Sequence, residues 1–136
     1  MQKTILICLC CLSLAFTAPE ELRTQNRSNL IKLQPGMPKV QVVSIMGTTT
    51  AEDFDESGTY AINNPYKTET LEGKKKLFEV LYYHTELKER DRSLDNEELT
   101  PLVLCDNKLL GWGWPFLREI VQKYEITYSF LNEAQV

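Results

Sequence analysis

The fold is decided by Leu77–Thr85, LFEVLYYHT. Successive side chains of an extended chain point to opposite sides. Phe78, Val80, Tyr82 and His84 therefore share one face, and Leu77, Leu81 and Tyr83 the other. Both faces are largely apolar, which predicts a central strand covered by a helix on one side and by a further element on the other.

Strands are expected on either side of it. Asn63-Asn64-Pro65-Tyr66 reads as a turn with an aromatic exit, because the proline pushes Asn64 towards extended geometry. Lys67–Leu71 is then a strand turned by Glu72-Gly73-Lys74. Leu99–Cys105 and Lys108–Trp114 form a hairpin about Asp106-Asn107, two residue types that tolerate the left-handed geometry of a tight turn. In its second strand Gly111 and Gly113 alternate with Trp112 and Trp114, so glycines line one face and tryptophans the other. Pro115 opens a last helix in which Phe116, Ile120 and Tyr124 share a face with Val121 alongside.

Helices are expected before the strands. In Leu33–Gly47, LQPGMPKVQVVSIMG, Gly36 allows positive φ and Pro38 suits a first helical turn. Val42, Ile45 and Met46 give one apolar face, and Gly47 is a helix stop. Pro19–Leu33 holds a second helix, better defined after Asn26. Thr48–Gly58 and Lys88–Glu98 read as polar connections, the latter long and exposed.

At 136 residues the chain fits one domain, and a net charge of −4 argues against nucleic acid as a partner. The basic run Lys74–Lys76 is read as a solvated turn. Lys3 followed by the apolar Thr4–Leu14, with polar residues resuming at Pro19, has the three-part shape of a secretory signal peptide. Thr4–Ala18 reaches about 22 Å as a helix at about 1.5 Å per residue, short of a bilayer core of about 30 Å. Residues 1–15 are assigned as the signal peptide, with cleavage after Ala15 preferred over Ala18 because Ser13 and Ala15 satisfy the small-x-small rule. Cys8, Cys10 and Cys11 lie in that leader, and neither Cys10 nor Cys11 follows the small residue that lipoprotein processing requires. Membrane association therefore has no convincing lipidation site. The mature chain keeps only Cys105, which reads as a buried thiol in a strand. Asn26-Arg27-Ser28 is formally a glycosylation sequon.

No chemistry is spelled out by spacing. A thiol enzyme needs Cys105 and His84 within hydrogen-bond reach, with Asp106 or Glu86 as orienter. A zinc site lacks recurrent ligand spacing, and Asp53, Asp55 and Glu56 are only a scrap of a calcium loop. No cofactor and no metal are expected. Trp112, Trp114, Phe116 and Tyr124 read first as core. Their functional alternative is a partner-binding anchor formed by Trp112 and Trp114, with Asn63, Asn64 and Tyr66 as a second candidate surface.

The ordered set Leu33-x-x-Gly36-Met37, Val42, Ile45-Met46-Gly47 resembles the signature of the small outer-membrane lipoprotein A family, the BamE-like superfamily. Asn63–Tyr66, Leu81–Tyr83, Thr100–Val103 and Leu110–Gly113 are similar to a subgroup of bacterial envelope proteins of unknown function. Thr49 stands where that family usually has proline. The resemblance implies an α+β fold, two N-terminal helices packed on a three- to four-stranded antiparallel sheet with a C-terminal helix, as one domain over residues 26–128. It also implies a non-enzymatic accessory in the periplasm or cell envelope that binds other envelope proteins. The alternatives are a Cys-dependent enzyme using Cys105 and His84, and a structural protein held by lipid on a leader cysteine.

Overall fold

The computed structural model describes residues 17–88 and 94–128. In chain order, α1 (Pro19–Leu30) and α2 (Lys39–Met46) lead to β1 (Ala51–Asp55) and β2 (Gly58–Ile62). Then follow β3 (Lys67–Gly73), β4 (Lys76–His84), β5 (Leu99–Cys105), β6 (Lys108–Trp112) and α3 (Trp114–Lys123). The strands form a two-stranded antiparallel sheet, β1–β2, and a four-stranded antiparallel sheet in the order β3-β4-β5-β6. This is an α+β fold with a C-terminal helix. The expected signal peptide, residues 1–15, and its three cysteines lie outside the described residues.

The two apolar faces of β4 are both covered. On one, Leu81 and Tyr83 join Leu102, Leu104 and Leu109 beneath Leu33, Val42 and Met46. On the other, Phe78, Val80 and Tyr82 join Val103 beneath Leu117, Ile120, Ile126 and Tyr128. Each large apolar side chain buried this way contributes about 1.5–3 kcal/mol relative to exposure, so neither cover is dispensable. The first face turns polar at Glu79, whose carboxylate pairs with Lys39 (2.5 Å), and Leu77 beyond it is exposed.

Backbone geometry explains the approach to α2. Gly36 and Gly47 take φ of 91° and 78°, as their placement predicts. Between Gly36 and the helix the chain runs along β6: the Gly36 amide donates to Leu109 O (2.7 Å), Leu109 N to Met37 O (2.8 Å) and Lys39 N to Asn107 O (2.8 Å). Pro38 is consequently the extended residue before α2 rather than part of its first turn. Asp106 and Asn107 both adopt left-handed geometry, with φ of 51° and 58°, and close the β5–β6 hairpin.

Four expectations are corrected. Thr48–Gly58 is not a loop: most of it forms β1 and the turn into β2, and acidic residues hid the alternation because only Ala51 and Ile62 of this hairpin are buried, against Leu22. Lys88–Glu98 is not exposed throughout, since Asn96–Glu98 makes one 3-10 turn that buries Glu98. The strand expected to reach Trp114 stops at Trp112, because Gly113 (φ 93°) redirects the chain and Trp114 begins α3. Within α3 the fully buried residue is Leu117, with Ile120 beside it. Phe116 stands half-buried over Gly111, and Tyr124 packs on Phe78 with ring centroids 4.8 Å apart.

Two glycines are predicted to differ when substituted. A Cβ at Gly73 would lie 2.9 Å from Tyr124 Cβ and 3.1 Å from Ile126 Cγ1, atoms fixed near the backbone. At Gly111 the obstacle is the tip of the half-buried Phe116 ring, which can swing outward. Gly73→Ala should destabilise by about 1–3 kcal/mol and Gly111→Ala by less, measured from urea unfolding midpoints. An equal or reversed order would contradict this packing.

Candidate functional site

A cleft of about 690 Å³ opens where the start of α1, the β1–β2 hairpin, the end of β4 and the segment leading into β5 meet. Helix α1 reaches it because Pro19 sets the first helical turn and Leu22, fully buried against Ala51 and Ile62, anchors the helix to the hairpin. Arg23 follows Leu22 and is only 8% exposed. One turn beyond Leu22, Asn26 is buried completely, and its Nδ2 donates to His84 O (2.8 Å) and to Asn64 Oδ1 (3.0 Å). Asn64 Nδ2 in turn donates to Met46 O and Gly47 O, both at 3.2 Å. Two buried amides thus fasten α1, the end of α2, the turn before β3 and the end of β4 to one another.

The floor of the cleft carries Arg23, His84 and Glu98. Glu98 is satisfied, accepting from Lys88 N (3.2 Å) and Asp95 N (3.0 Å). His84 is 1% exposed, and neither ring nitrogen has a hydrogen-bond partner among the described residues. Arg23 makes no hydrogen bond or ion pair among them either. Burial, with the Arg23 guanidinium next in weight, holds His84 below the usual imidazole range. Glu98 and a backbone contact from Glu86 that falls short of a full hydrogen bond work in the opposite sense, and Arg27 adds weakly to the lowering. The ring is therefore neutral at pH 7, with one donor and one acceptor to offer.

The rim has a different character. Phe54 is 82% exposed and Leu87 52%, and both line the opening. Glu20, Asp53 and Glu56 place carboxylates around the opening. Tyr60 donates to Asp53 Oδ2 (3.1 Å), and its hydroxyl is raised above the ordinary phenol value by burial and by that bond. Among the described residues no three His, Cys, Asp or Glu side chains converge as a metal site would require. No helix among them is long and apolar enough to cross a membrane.

The residues singled out from sequence fall elsewhere. Asn63 is exposed, while Asn64 is buried in the amide clamp. Tyr66 is half-buried between the core and the cluster around Leu22. Trp112 and Trp114 do not share a face. Trp112 packs on the α2 side, whereas Trp114 packs on the α3 side and donates from Nε1 to Leu99 O (2.8 Å). Gly113, between them, ends the strand alternation. Cys105 and His84 are not a pair: Cys105 stands opposite Phe78 and His84 opposite Leu99. Those positions are six residues apart along β4, about 20 Å at about 3.3 Å per residue. Asn26 of the sequon is inaccessible. Sequence reading missed Arg23 and Asn26, although their i, i+3 spacing beside Leu22 and Leu30 placed them on the inward face of α1.

The sequence profile of the DUF3192 family, described as a protein of unknown function, matches residues 17–118, and the chain belongs to that family. The matched span contains every element that builds the cleft. No curated protein and no solved structure matches the chain.

The lowered His84 value fixes a sign for stability. The unfolded imidazole binds its proton near the ordinary value of about 6.5 while the folded one binds it only at lower pH. Stability from the neutral ring is thus complete above that value and is lost as pH falls towards the folded value. Between about pH 7.5 and 5.5 the unfolding free energy should decline by up to about 1.4 kcal/mol per pH unit. His84→Gln should flatten the slope, as read by urea titration at each pH. An unchanged slope would show that another group dominates.

Proposed function

We propose that this DUF3192 member is an exported bacterial envelope protein, without catalytic activity of its own, that holds a segment of another envelope protein in the cleft. The observation that carries the reading is the floor. A buried imidazole whose two nitrogens meet no hydrogen-bond partner among the described residues costs free energy in the isolated protein, and Arg23 beside it makes no hydrogen bond or ion pair among them. A ligand that supplies their missing partners recovers that cost on binding. Exposed Phe54 and Leu87 in the cleft lining add apolar contact area, the usual complement to a few fixed polar groups in a binding site.

The envelope assignment rests on the leader and on the resemblance of Leu33–Gly47 to the BamE-like superfamily. A non-enzymatic role agrees with the separation of Cys105 from His84. Asn64 serves the scaffold in this reading, and the indoles of Trp112 and Trp114 pack against opposite faces of the sheet.

A photo-crosslinking amino acid at Phe54 or Leu87, activated in intact cells, should give a discrete protein adduct. The same probe at Ile31, which is 85% exposed and away from the cleft, should not. Adducts from position 31 or 112 with none from 54 or 87 would contradict the assignment of this surface.

A further inference from the structure

Going beyond the cleft and independent of it, we infer that the opposite end of the four-stranded sheet is a docking surface for a bilayer carrying anionic headgroups. Taken alone, Lys74–Lys76 is a solvated turn, but the fold brings further lysines to it. The β3–β4 turn lies between Gly73 and Lys76, and the β5–β6 turn between Cys105 and Lys108. Phe78 stands opposite Cys105, so both turns leave the sheet at the same end. The Lys39 amide is tied there by donating to Asn107 O (2.8 Å), and the Lys74 amide donates to Tyr124 O (2.9 Å). The ammonium groups of Lys76 and Lys123 stand over the Tyr124 ring, at 5.7 and 5.5 Å from its centroid. Lys39, Lys74, Lys75, Lys76, Lys108 and Lys123 thus gather at one end, and all but the half-buried Lys39 are exposed. The carboxylates here are Glu72, Glu79, Asp106 and Glu125, of which Glu79 pairs with Lys39 and Glu125 with Lys74. One turn back along α3, Arg118 and Glu119 offset each other. This end is therefore positive in a chain whose net charge is −4.

Charge alone does not separate a bilayer from another polyanion. The second observation is apolar. Leu77, next to Lys76, is 62% exposed, and Val40, next to Lys39, is 78% exposed. Val40 and Val43 border an open groove of about 430 Å³ with Pro38 and Asn107, so the apolar surface reaches the β5–β6 turn. Lysine lays its methylenes on apolar surface and keeps its ammonium hydrated among headgroups, while aliphatic side chains beside it enter the acyl boundary. A nucleic acid would engage the lysines and leave Leu77 and Val40 with nothing to meet. A bilayer uses both. Standing on this end, the protein holds its cleft at the far end of β4. Lys76 and His84 are eight residues apart along that strand, about 26 Å at about 3.3 Å per residue. The acidic rim of Glu20, Asp53 and Glu56 is thereby kept off a surface that would repel it.

The test is co-sedimentation of the protein, recovered from cells expressing the whole chain, with phosphatidylcholine vesicles that contain either no phosphatidylglycerol or about one-third of it. The readout is the ratio of the two partition coefficients, because any pull from the apolar Thr4–Leu14 is common to both. Anionic vesicles should be favoured about tenfold or more at about 50 mM salt, and the preference should vanish towards about 500 mM. Lys75→Asn combined with Lys108→Gln removes two exposed ammonium groups, and asparagine suits the left-handed backbone at Lys75 (φ 61°). This pair should lower the ratio about fivefold or more and leave the circular dichroism spectrum unchanged. Val40→Ser combined with Leu77→Ser should weaken binding to the anionic vesicles about fivefold or more. A ratio near one for the parent, a ratio unmoved by the lysine substitutions, or binding unmoved by the serine substitutions overturns the inference. Retention by a single-stranded DNA oligonucleotide as strong as by anionic vesicles overturns it too, assigning the lysines to another polyanion. Crosslinking from Phe54 and Leu87 reads the cleft separately, so either reading can fail alone.

Discussion

A strand that is apolar on both faces must be covered twice, and the rest of this structure follows from meeting that requirement at β4. Helix α2 with Leu33 covers Leu81 and Tyr83, and α3 with the following Ile126 and Tyr128 covers Phe78, Val80 and Tyr82. Both covers reach the sheet through its β6 side, where Gly36–Lys39 hydrogen-bonds along one edge and Gly113 turns the chain directly into α3. Helix α1 reaches the α2-covered face only with its last residue, Leu30. It is held at the end of β4 by Leu22 and by the Asn26–Asn64 amide clamp. Buried hydrogen bonds of this kind add about 0.5–1.5 kcal/mol each, but breaking one leaves a stranded polar group that costs about 1–3 kcal/mol. The clamp therefore acts mainly by forbidding other positions for α1.

Holding a helix at the end of a sheet leaves a gap beneath its first turn, and the gap is the cleft. Its polar groups contrast with those elsewhere in the molecule. Under α3, Tyr82 OH and Tyr128 OH meet at 2.5 Å, and both reach Glu69 Oε2, at 2.7 and 3.1 Å. Burial and this network raise the Tyr82 hydroxyl far beyond the ordinary phenol range, and burial pushes Tyr128 up to about 12. That cluster is closed and needs no ligand. Around the cleft, His84 Nδ1 and Nε2 and Asn26 Oδ1 are buried without partners among the described residues. Tyr83 OH is the other buried atom of this kind, beneath α2, where burial raises it to about 12. Among the described residues, three of the four buried unpartnered atoms thus cluster at one place in the fold.

The sheet was legible in the sequence because its signals are local. Alternation in Leu77–Thr85, the Asp106-Asn107 turn and the glycines at 36 and 47 each act within a few residues. The β1–β2 hairpin was not legible, because its strands bury one residue apiece and interrupt Phe54, Tyr60 and Ala61 with Glu52, Asp53, Asp55 and Thr59. The tryptophans misled for a related reason. A single left-handed glycine between them changed the period from two to that of a helix, and sequence alternation does not show which glycine ends a strand. The cleft was least legible of all. Arg23, Phe54, His84 and Glu98 come from four separate segments, and only the register that brings the end of β4 to α1 puts them together.

The central claim is that Arg23, which makes no hydrogen bond or ion pair among the described residues, serves binding and not folding. Thermal unfolding of Arg23→Met, followed together with in-cell crosslinking from position 54, tests it most directly. Methionine keeps much of the aliphatic bulk and removes the buried charge. The account predicts an unfolding midpoint equal to or above that of the parent protein and loss of the crosslinked adduct. A clearly lowered midpoint with the adduct retained would assign Arg23 to the scaffold and contradict the claim.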